Sequence, residues 1–190
     1  MLDLAREYER VRAAVETRVR ALFDAQRFML GQAVEEFEEA FCEFTGCAHA
    51  IGMSSGTDAQ LAILMALQIG PGDAVITTPY SFFATAGSIH RVGAEPVFVD
   101  VDPDSGNISA ATIAPMLTER TRAILPVHLA GWPTDMPAIM ALAQKHGLKV
   151  IEDCAQSHGA TIDGRQTGSF GDAAAFSFCP PSSVFRPPSS

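Results

Sequence analysis

A run of small and hydroxylated residues, Ser54 to Asp58, precedes a segment with strong helical character. The first N–H groups of a helix have no intrahelical acceptor and lie at the positive end of the helix dipole. Such a helix start binds anions, most naturally a phosphate. An ordinary cap by Ser55 or Thr57 is the alternative. The glycine spacing matches neither a dinucleotide-binding fingerprint nor a P-loop.

A second group of polar residues, Glu152 to Gln156, follows an apolar run that reads as a parallel strand. Open α/β sheets bind their ligands at the carboxyl ends of such strands. From its position alone, Asp153 is suited to bind a metal, a sugar hydroxyl or a protonated ring nitrogen. It is equally suited to cap a helix.

Aromatic and imidazole side chains follow other predicted strands. Either Phe82 or Phe83 has the ring needed to cover a planar cofactor, although core packing is the commoner use of a phenyl ring. His128 and His158 have the chemistry of a general base, and each also suits a structural role with satisfied hydrogen bonds.

The elements that position these residues alternate along the chain. Apolar periodicity and turn residues predict both kinds of element. The predicted helices cover 3–27, 33–45, 57–69, 82–92, 109–117 and 135–146, and the predicted strands cover 49–53, 74–78, 96–100, 123–127, 148–153 and 173–178. Strands that alternate with helices predict an α/β fold with a mainly parallel sheet. The strands are short continuous apolar runs, which indicates burial on both faces.

Composition narrows the class of protein. The chain has 190 residues, a net charge of −9 and 47% hydrophobic residues, which is ample for a core. The acidic balance argues against a nucleic-acid surface, and no apolar run is long enough for a membrane helix. The start of the chain lacks the features of a signal peptide, so we expect a cytoplasmic protein without nucleic-acid or membrane partners. The 4 cysteines form no CxxC pair and, with the histidines, no zinc pattern, so no metal site is predicted.

The order of the motifs is more specific than any one of them. The Ser-Gly-Thr turn is followed by Pro-Tyr-Ser-Phe-Phe-Ala-Thr, Pro-Val-His-Leu, Glu-Asp-Cys-Ala-Gln-Ser-His-Gly-Ala and Ala-Phe-Ser-Phe-Cys-Pro. From about Leu2 to Pro180 this series resembles the N-terminal part of the DegT/StrS-type nucleotide-sugar aminotransferases. These are pyridoxal-phosphate enzymes with the aspartate-aminotransferase fold. The resemblance implies a three-layer sandwich that forms the large, cofactor-binding domain.

The resemblance also implies roles for individual residues. Each expected cofactor contact falls on a residue of this chain: the phosphate on Gly56, Thr57, Asp58 and Ser177, the ring face on Phe83, the ring nitrogen on Asp153, and the ring hydroxyl side on Gln156. It further implies a nucleotide-linked keto sugar and an amino-acid donor as substrates, and a homodimer for intact relatives.

One position departs from the family pattern. The lysine that binds the cofactor as a Schiff base is expected at position 182, where this chain has Ser182. A serine neither forms a Schiff base nor replaces lysine as a proton shuttle, so no catalytic residue is assigned. We expect residues 1–179 to be the N-terminal part of the large domain, 180–190 to be a divergent Pro/Ser-rich tail, and the small C-terminal domain to be absent.

Three hypotheses for function follow. The first is a truncated and inactive sugar aminotransferase. The second is a non-catalytic cofactor-binding or regulatory module that pairs with a full-length homologue. The third is a product without a stable fold, because a sheet that lacks strands exposes an edge and apolar surface.

We predict that Ser182→Lys alone produces no transaminase activity, because the residues around position 182 also depart from the family pattern. The assay is amino transfer from glutamate to a nucleotide-linked keto sugar. Measurable transamination by this single variant would contradict the prediction.

Overall fold

The computed structural model describes residues 4–178, which fall into two compact units. The first unit ends at Gly52 and the second begins at Met53. The Pro/Ser-rich tail and Ser182 lie outside the described residues.

The first unit contains two helices, α1 (Leu4–Ala25) and α2 (Gln32–Thr45), close to their predicted bounds. Helix α2 ends at Gly46, which adopts the left-handed conformation with φ 73° and donates its N–H to the carbonyl of Cys42. This is a common helix C-cap, and glycine adopts it without steric strain.

The strand predicted over 49–53 is wrong. This segment is irregular, it pairs with none of the described strands, and Ile51 is 80% exposed. An apolar run becomes a strand only when a neighbour completes its backbone hydrogen bonds, and that requirement is not visible in local sequence.

The second unit is a sheet with helices. Its helices are α3 (Gly56–Ala66), α4 (Phe83–Arg91), α5 (Ala110–Ile113) and α6 (Met136–His146), and its strands are β1 (Ala74–Thr77), β2 (Glu95–Phe98), β3 (Thr121–Ile124), β4 (Lys149–Asp153), β5 (Thr161–Ile162), β6 (Arg165–Gln166) and β7 (Ala173–Ala175). The main sheet has the order β2-β1-β3-β4-β7, and all its pairs are parallel. Strands β5 and β6 form a separate antiparallel pair. The prediction of an α/β fold with a mainly parallel sheet is confirmed.

The sheet is buried on both faces, which makes the unit a three-layer structure. Val75 and Ile76 are neighbours in β1, and their fully buried side chains lie in different apolar clusters. The cluster of Val75 includes Leu64 of α3 and Ile89 of α4, whereas that of Ile76 includes Ile139 of α6. Successive strand residues point to opposite faces, so the continuous apolar runs in the sequence supply both cores.

None of the described helices combines the length and the apolar character needed to cross a bilayer.

A buried carboxylate joins β4 to the loop that precedes β7. Glu152 is fully buried, and its Oε1 accepts the N–H groups of Phe170 at 2.8 Å and Gly171 at 2.7 Å. Its Oε2 accepts the N–H of Gly168 at 2.8 Å and lies 3.0 Å from Nε2 of His128. We call these five residues the Glu152 hub.

The hydrogen bonds of His128 define the charge of this hub. The backbone N–H of Thr134 donates to Nδ1 of His128 at 3.0 Å, so the ring proton is on Nε2 and is donated to Glu152. Burial alone raises the pKa of Glu152. The hydrogen bonds from His128 and from the backbone of Gly171 and Gly168 outweigh burial, so the net pKa is lowered. The hub therefore consists of a neutral imidazole and an ionised carboxylate.

Two glycines allow the loop to wrap closely around this carboxylate. Gly168 has φ +87°, and a Cβ at this position would collide with the ring of Phe176. A Cβ on Gly171 would lie 2.6 Å from the carbonyl oxygen of Val150. The hub thus fixes β7 beside β4, with which it pairs in the sheet.

We predict that Glu152→Gln destabilises the protein by about 1–3 kcal/mol or more, because an amide directs N–H groups at buried donors and leaves them without an acceptor. The lowered pKa of Glu152 stabilises the fold above its unfolded pKa of about 4.3, and this contribution is lost as the pH falls through the folded value. Glu152→Gln should therefore lose most stability at neutral pH and less in acid.

The measurement is the urea midpoint of unfolding from acid to neutral pH, with the exposed Glu119→Gln as the matched control. Equal midpoints for the wild type and Glu152→Gln at pH 7 would contradict a role for the hub.

Candidate functional site

Asp153 is the last residue of β4 and lies at the carboxyl edge of the sheet. It is buried, and its Oδ2 accepts hydrogen bonds from Nε2 of Gln60 at 2.6 Å and from Oγ1 of Thr85 at 2.9 Å. Its Oδ1 accepts the N–H of Ala155 at 3.1 Å. Helices α3 and α4 therefore both hold one carboxylate in a fixed orientation.

Asp153 has no ion-pair partner among the described residues. Within residues 4–178, no lysine, arginine or histidine forms an ion pair with it. Burial raises the pKa of Asp153 despite the hydrogen bonds from Ala155, Thr85 and Gln60. Oδ1 receives a single hydrogen bond, so it retains capacity to accept another donor. The arrangement is suited to a ligand that brings a positively charged N–H group.

Gln60 and Thr85 are site residues that sequence reasoning missed. Gln60 is a buried polar residue in an otherwise apolar stretch of α3, and its Oε1 has no hydrogen-bond partner among the described residues. A polar residue within an apolar run is a signal that the sequence offered for a buried polar contact. Its partner, the carboxylate of Asp153, lies 93 residues away along the chain.

The start of α3 forms the candidate anion site. Ser55 is the N-cap, and its Oγ accepts the N–H of Asp58 at 3.1 Å. The N–H groups of Gly56 and Thr57 come first in the helix, where no intrahelical acceptor exists. Both the cap and the anion site proposed for this segment are therefore compatible: Ser55 occupies the N–H of Asp58, and the two N–H groups before it lie at the positive helix end.

Asp58 differs from the other residues of this group. Its Oδ2 accepts a hydrogen bond from Oγ of Ser54 at 2.5 Å, and the bonds with Ser54 and then Ser55 lower the pKa of Asp58. The side chain is an ionised acceptor already paired with a hydroxyl, so it has no donor of its own to offer an anion.

Ser177 lies directly against the helix start. A Cβ on Gly56 would stand 2.8 Å from Cβ and 3.3 Å from Oγ of Ser177, and 3.2 Å from the carbonyl oxygen of Phe176. Only a glycine at position 56 allows α3 to approach the end of β7 this closely. Gly56 and Ser177 are 121 positions apart in the sequence, and both were predicted to contact the phosphate. The fold brings them together.

Gln156 joins two loops at the same edge of the sheet. Its Oε1 accepts the N–H of Ala130 at 2.7 Å, in a turn where Ala130 has a positive φ of 53°. The Nε2 group makes no hydrogen bond with the described residues, so it remains a donor for a ligand.

Phe83 is the first residue of α4 and is 81% exposed. Its ring packs on Gly87, with Cζ 3.3 Å from where a Cβ of Gly87 would stand. Phe83 and Thr85 are two residues apart, which is about 200° around a helix, so Phe83 lies on the side of α4 away from Asp153. Phe82 is the N-cap of α4, with extended backbone, and is also exposed. A ring-covering role for Phe83 remains a prediction.

The two histidines considered as general bases, His128 and His158, lie in different environments. His128 is locked within the Glu152 hub, so both its ring nitrogens are already in use. His128, Glu152 and Cys154 place possible metal-ligand atoms within 4.8 Å of one another, but the hydrogen bonds of the first two occupy those atoms. His158 has buried ring nitrogens without partners among the described residues, and burial lowers its pKa.

Comparison with known proteins identifies the family. The profile of the DegT/DnrJ/EryC1/StrS aminotransferase family matches residues 10–184. A UDP-N-acetyl-3-dehydro-alpha-D-glucosamine 3-aminotransferase from Acidithiobacillus ferrooxidans is 49% identical over 180 residues, which are 95% of this chain and 49% of the relative.

Solved structures agree with this match. An aminotransferase from Psychrobacter cryohalolentis is 50% identical, with a TM-score of 0.82 over 85% of this chain and 41% of that one. DesV from S. venezuelae, solved with a ketimine intermediate, is 41% identical, with a TM-score of 0.90 over 93% of this chain and 47% of that one. The chain spans about half the length of the curated relatives it matches. The resemblance seen in the motifs is confirmed, and the chain belongs to the DegT/DnrJ/EryC1/StrS aminotransferase family.

Proposed function

We propose that the site around Asp153 binds pyridoxal 5'-phosphate and serves as the cofactor-binding part of an aminotransferase of nucleotide-linked keto sugars. The observation that carries the proposal is the buried, oriented carboxylate of Asp153, which forms no ion pair with a residue between positions 4 and 178. The sugar class rests on the relatives, one of which is named for a UDP-linked 3-dehydro sugar.

The residues present fit the two ends of this cofactor. Its ring nitrogen is a base that becomes a cationic donor on protonation, and Oδ1 of Asp153 has room for such a donor. Its phosphate is an anion, and the first N–H groups of α3 and the adjacent Ser177 form a cradle suited to one. These groups lie at the carboxyl edge of one parallel sheet, where ligands of such folds bind.

When bound, the cofactor supplies an electron sink for the carbanion left after a substrate loses its α-proton. The chain's own residues prepare that chemistry. Asp153 holds a proton on the ring nitrogen, because an adjacent carboxylate favours the charged form. Gln60 and Thr85 fix the direction of the carboxylate. Gln156 has a free Nε2 donor for the ring hydroxyl side, while its Oε1 stays bound to Ala130.

Ser182 favours a second function. A serine at the expected lysine position cannot hold the cofactor covalently or move the α-proton, so this chain binds the cofactor without turnover. In this alternative it is a non-catalytic or regulatory module that pairs with a full-length homologue. For an intact protein, a nucleotide-linked sugar, an amino-acid donor such as glutamate and a homodimer are proposed from the same family.

We predict that the purified chain binds pyridoxal 5'-phosphate saturably, and that Asp153→Asn weakens binding about 10-fold or more by removing the charge that holds the ring proton. Absorbance and equilibrium dialysis measure the affinity, and Glu119→Gln serves as an exposed, charge-matched control. Unchanged affinity in Asp153→Asn would contradict the proposed site.

The same samples test covalent attachment. After borohydride reduction, peptide mapping should find no adduct within the site, because the only lysines are Lys145 and Lys149, both outside it. An adduct on either lysine or on the terminal amine identifies non-specific reaction. Stoichiometric fixation that depends on Asp153 would overturn the claim that this chain forms no Schiff base.

Asp153→Asn should also stabilise the chain without cofactor at neutral to alkaline pH. The raised pKa of Asp153 means that the wild type loses stability as the pH rises from about 3.9, the unfolded value, through the folded pKa. An asparagine has no charge to desolvate. Gln60 can rotate its unpartnered Oε1 to accept from the new amide, so the hydrogen bonds survive.

Urea midpoints measured from acid to alkaline pH provide the test. The advantage of Asp153→Asn should grow as the pH rises and vanish in acid. A variant less stable than the wild type at pH 8 would show that the carboxylate stabilises the fold rather than serving a ligand.

A further inference from the structure

We propose that Cys42 and Cys47 form a redox-sensitive dithiol that a small-molecule disulfide oxidises to an internal disulfide. Their sulfur atoms lie 3.9 Å apart at the C-terminal end of α2, and both side chains are half-buried. The pair belongs to the first unit, whereas the residues of the proposed cofactor site belong to the second.

The helix cap creates this contact. Gly46, in the left-handed conformation, donates its N–H to the carbonyl of Cys42 at 2.8 Å and turns the chain back. The next residue, Cys47, is thereby returned to the last turn of the helix. A disulfide has an S–S length of about 2.05 Å, so closing the bond requires the sulfurs to approach by about 2 Å from their separation of 3.9 Å.

The surroundings distinguish the two thiols. Burial, followed by the hydrogen bond and the charge of Cys47, raises the pKa of the Cys42 thiol. Oγ1 of Thr45 lies 3.1 Å from Sγ of Cys47 and provides a polar neighbour, and the carbonyl of His49 lies 3.2 Å from the same sulfur. The raised pKa lowers the thiolate fraction of Cys42, and the separation of 3.9 Å lets either sulfur attack a mixed disulfide formed on the other.

The reaction is two thiol–disulfide exchanges. The thiolate of one cysteine, its proton released to water, attacks one sulfur of the oxidant and expels the other as a thiolate, which takes up a proton. Sγ of the second cysteine then loses its proton, attacks the protein sulfur of the mixed disulfide and expels a second thiolate, which also takes up a proton. The protein loses two electrons and two protons, and the oxidant gains both.

Cys154 is the internal control. It is fully buried, and burial raises its pKa well above the usual range, so the same oxidant should not modify it. A Cys179→Ser background removes the cysteine that lies outside the described residues.

The test treats the full chain with oxidised glutathione, then quenches with acid, alkylates and maps the peptides. The peptide that contains both residues should lose two hydrogens, resist alkylation and recover with reductant, and its oxidation should exceed modification of Cys154 by about 10-fold or more. Cys42→Ser and Cys47→Ser each remove the partner sulfur, so each variant should instead accumulate glutathione on the cysteine that remains.

Two results would overturn the proposal. One is a wild-type chain that holds glutathione on Cys42 or Cys47 without closing the internal bond. The other is a folded chain that oxidises no faster than the same chain in urea, because the proximity imposed by the helix cap would then have no effect. Both measurements use the wild-type pair, so they do not depend on the folding of a substituted chain.

Discussion

The buried carboxylate of Glu152 is the constraint on which the second unit depends. Placing a charge in a core is unfavourable unless it is fully hydrogen-bonded, and four donors surround this one. Three of the donors are backbone N–H groups of the loop before β7, so satisfying the charge also sets the path of that loop. Because β7 then pairs with β4 and ends beside α3, the position of Ser177 at the helix start follows from a charge on the other face of the sheet.

Two adjacent carboxylates of β4 have opposite environments. Glu152 lies on one face of the sheet, saturated with donors, and its pKa is lowered. Asp153 lies on the other face, it forms no ion pair within the part of the chain that the structure describes, and burial raises its pKa. Burying the carboxylate of Asp153 in this way does not make the fold more stable. Retaining an incompletely compensated charge at the ligand edge of a sheet is typical of functional sites, where stability is sacrificed for binding.

The sheet order places these groups at the carboxyl ends of the strands, beside the point where the strand order reverses. The chain moves from β1 outward to β2 and then returns to β3 on the other side of β1, so the strand order reverses between β1 and β3. Helices α3 and α4 both lie on the Asp153 side, and each contributes one donor to that carboxylate. Gly56 removes the side chain that would otherwise keep α3 away from β7.

The sequence by itself determined the class of fold, the family and most of the segments that form the proposed cofactor site. Local apolar periodicity reports helices and buried strands directly, and motif order fixes Asp153 at a strand end and Gly56 at a helix start. Tertiary structure alone decided which side chains meet. Gln60 and Thr85 contact Asp153 across 93 and 68 residues, Phe83 lies on the side of its helix away from that carboxylate, and the apolar run at 49–53 forms no strand. Each of these outcomes depends on partners distant in sequence, and local propensity contains no information about them.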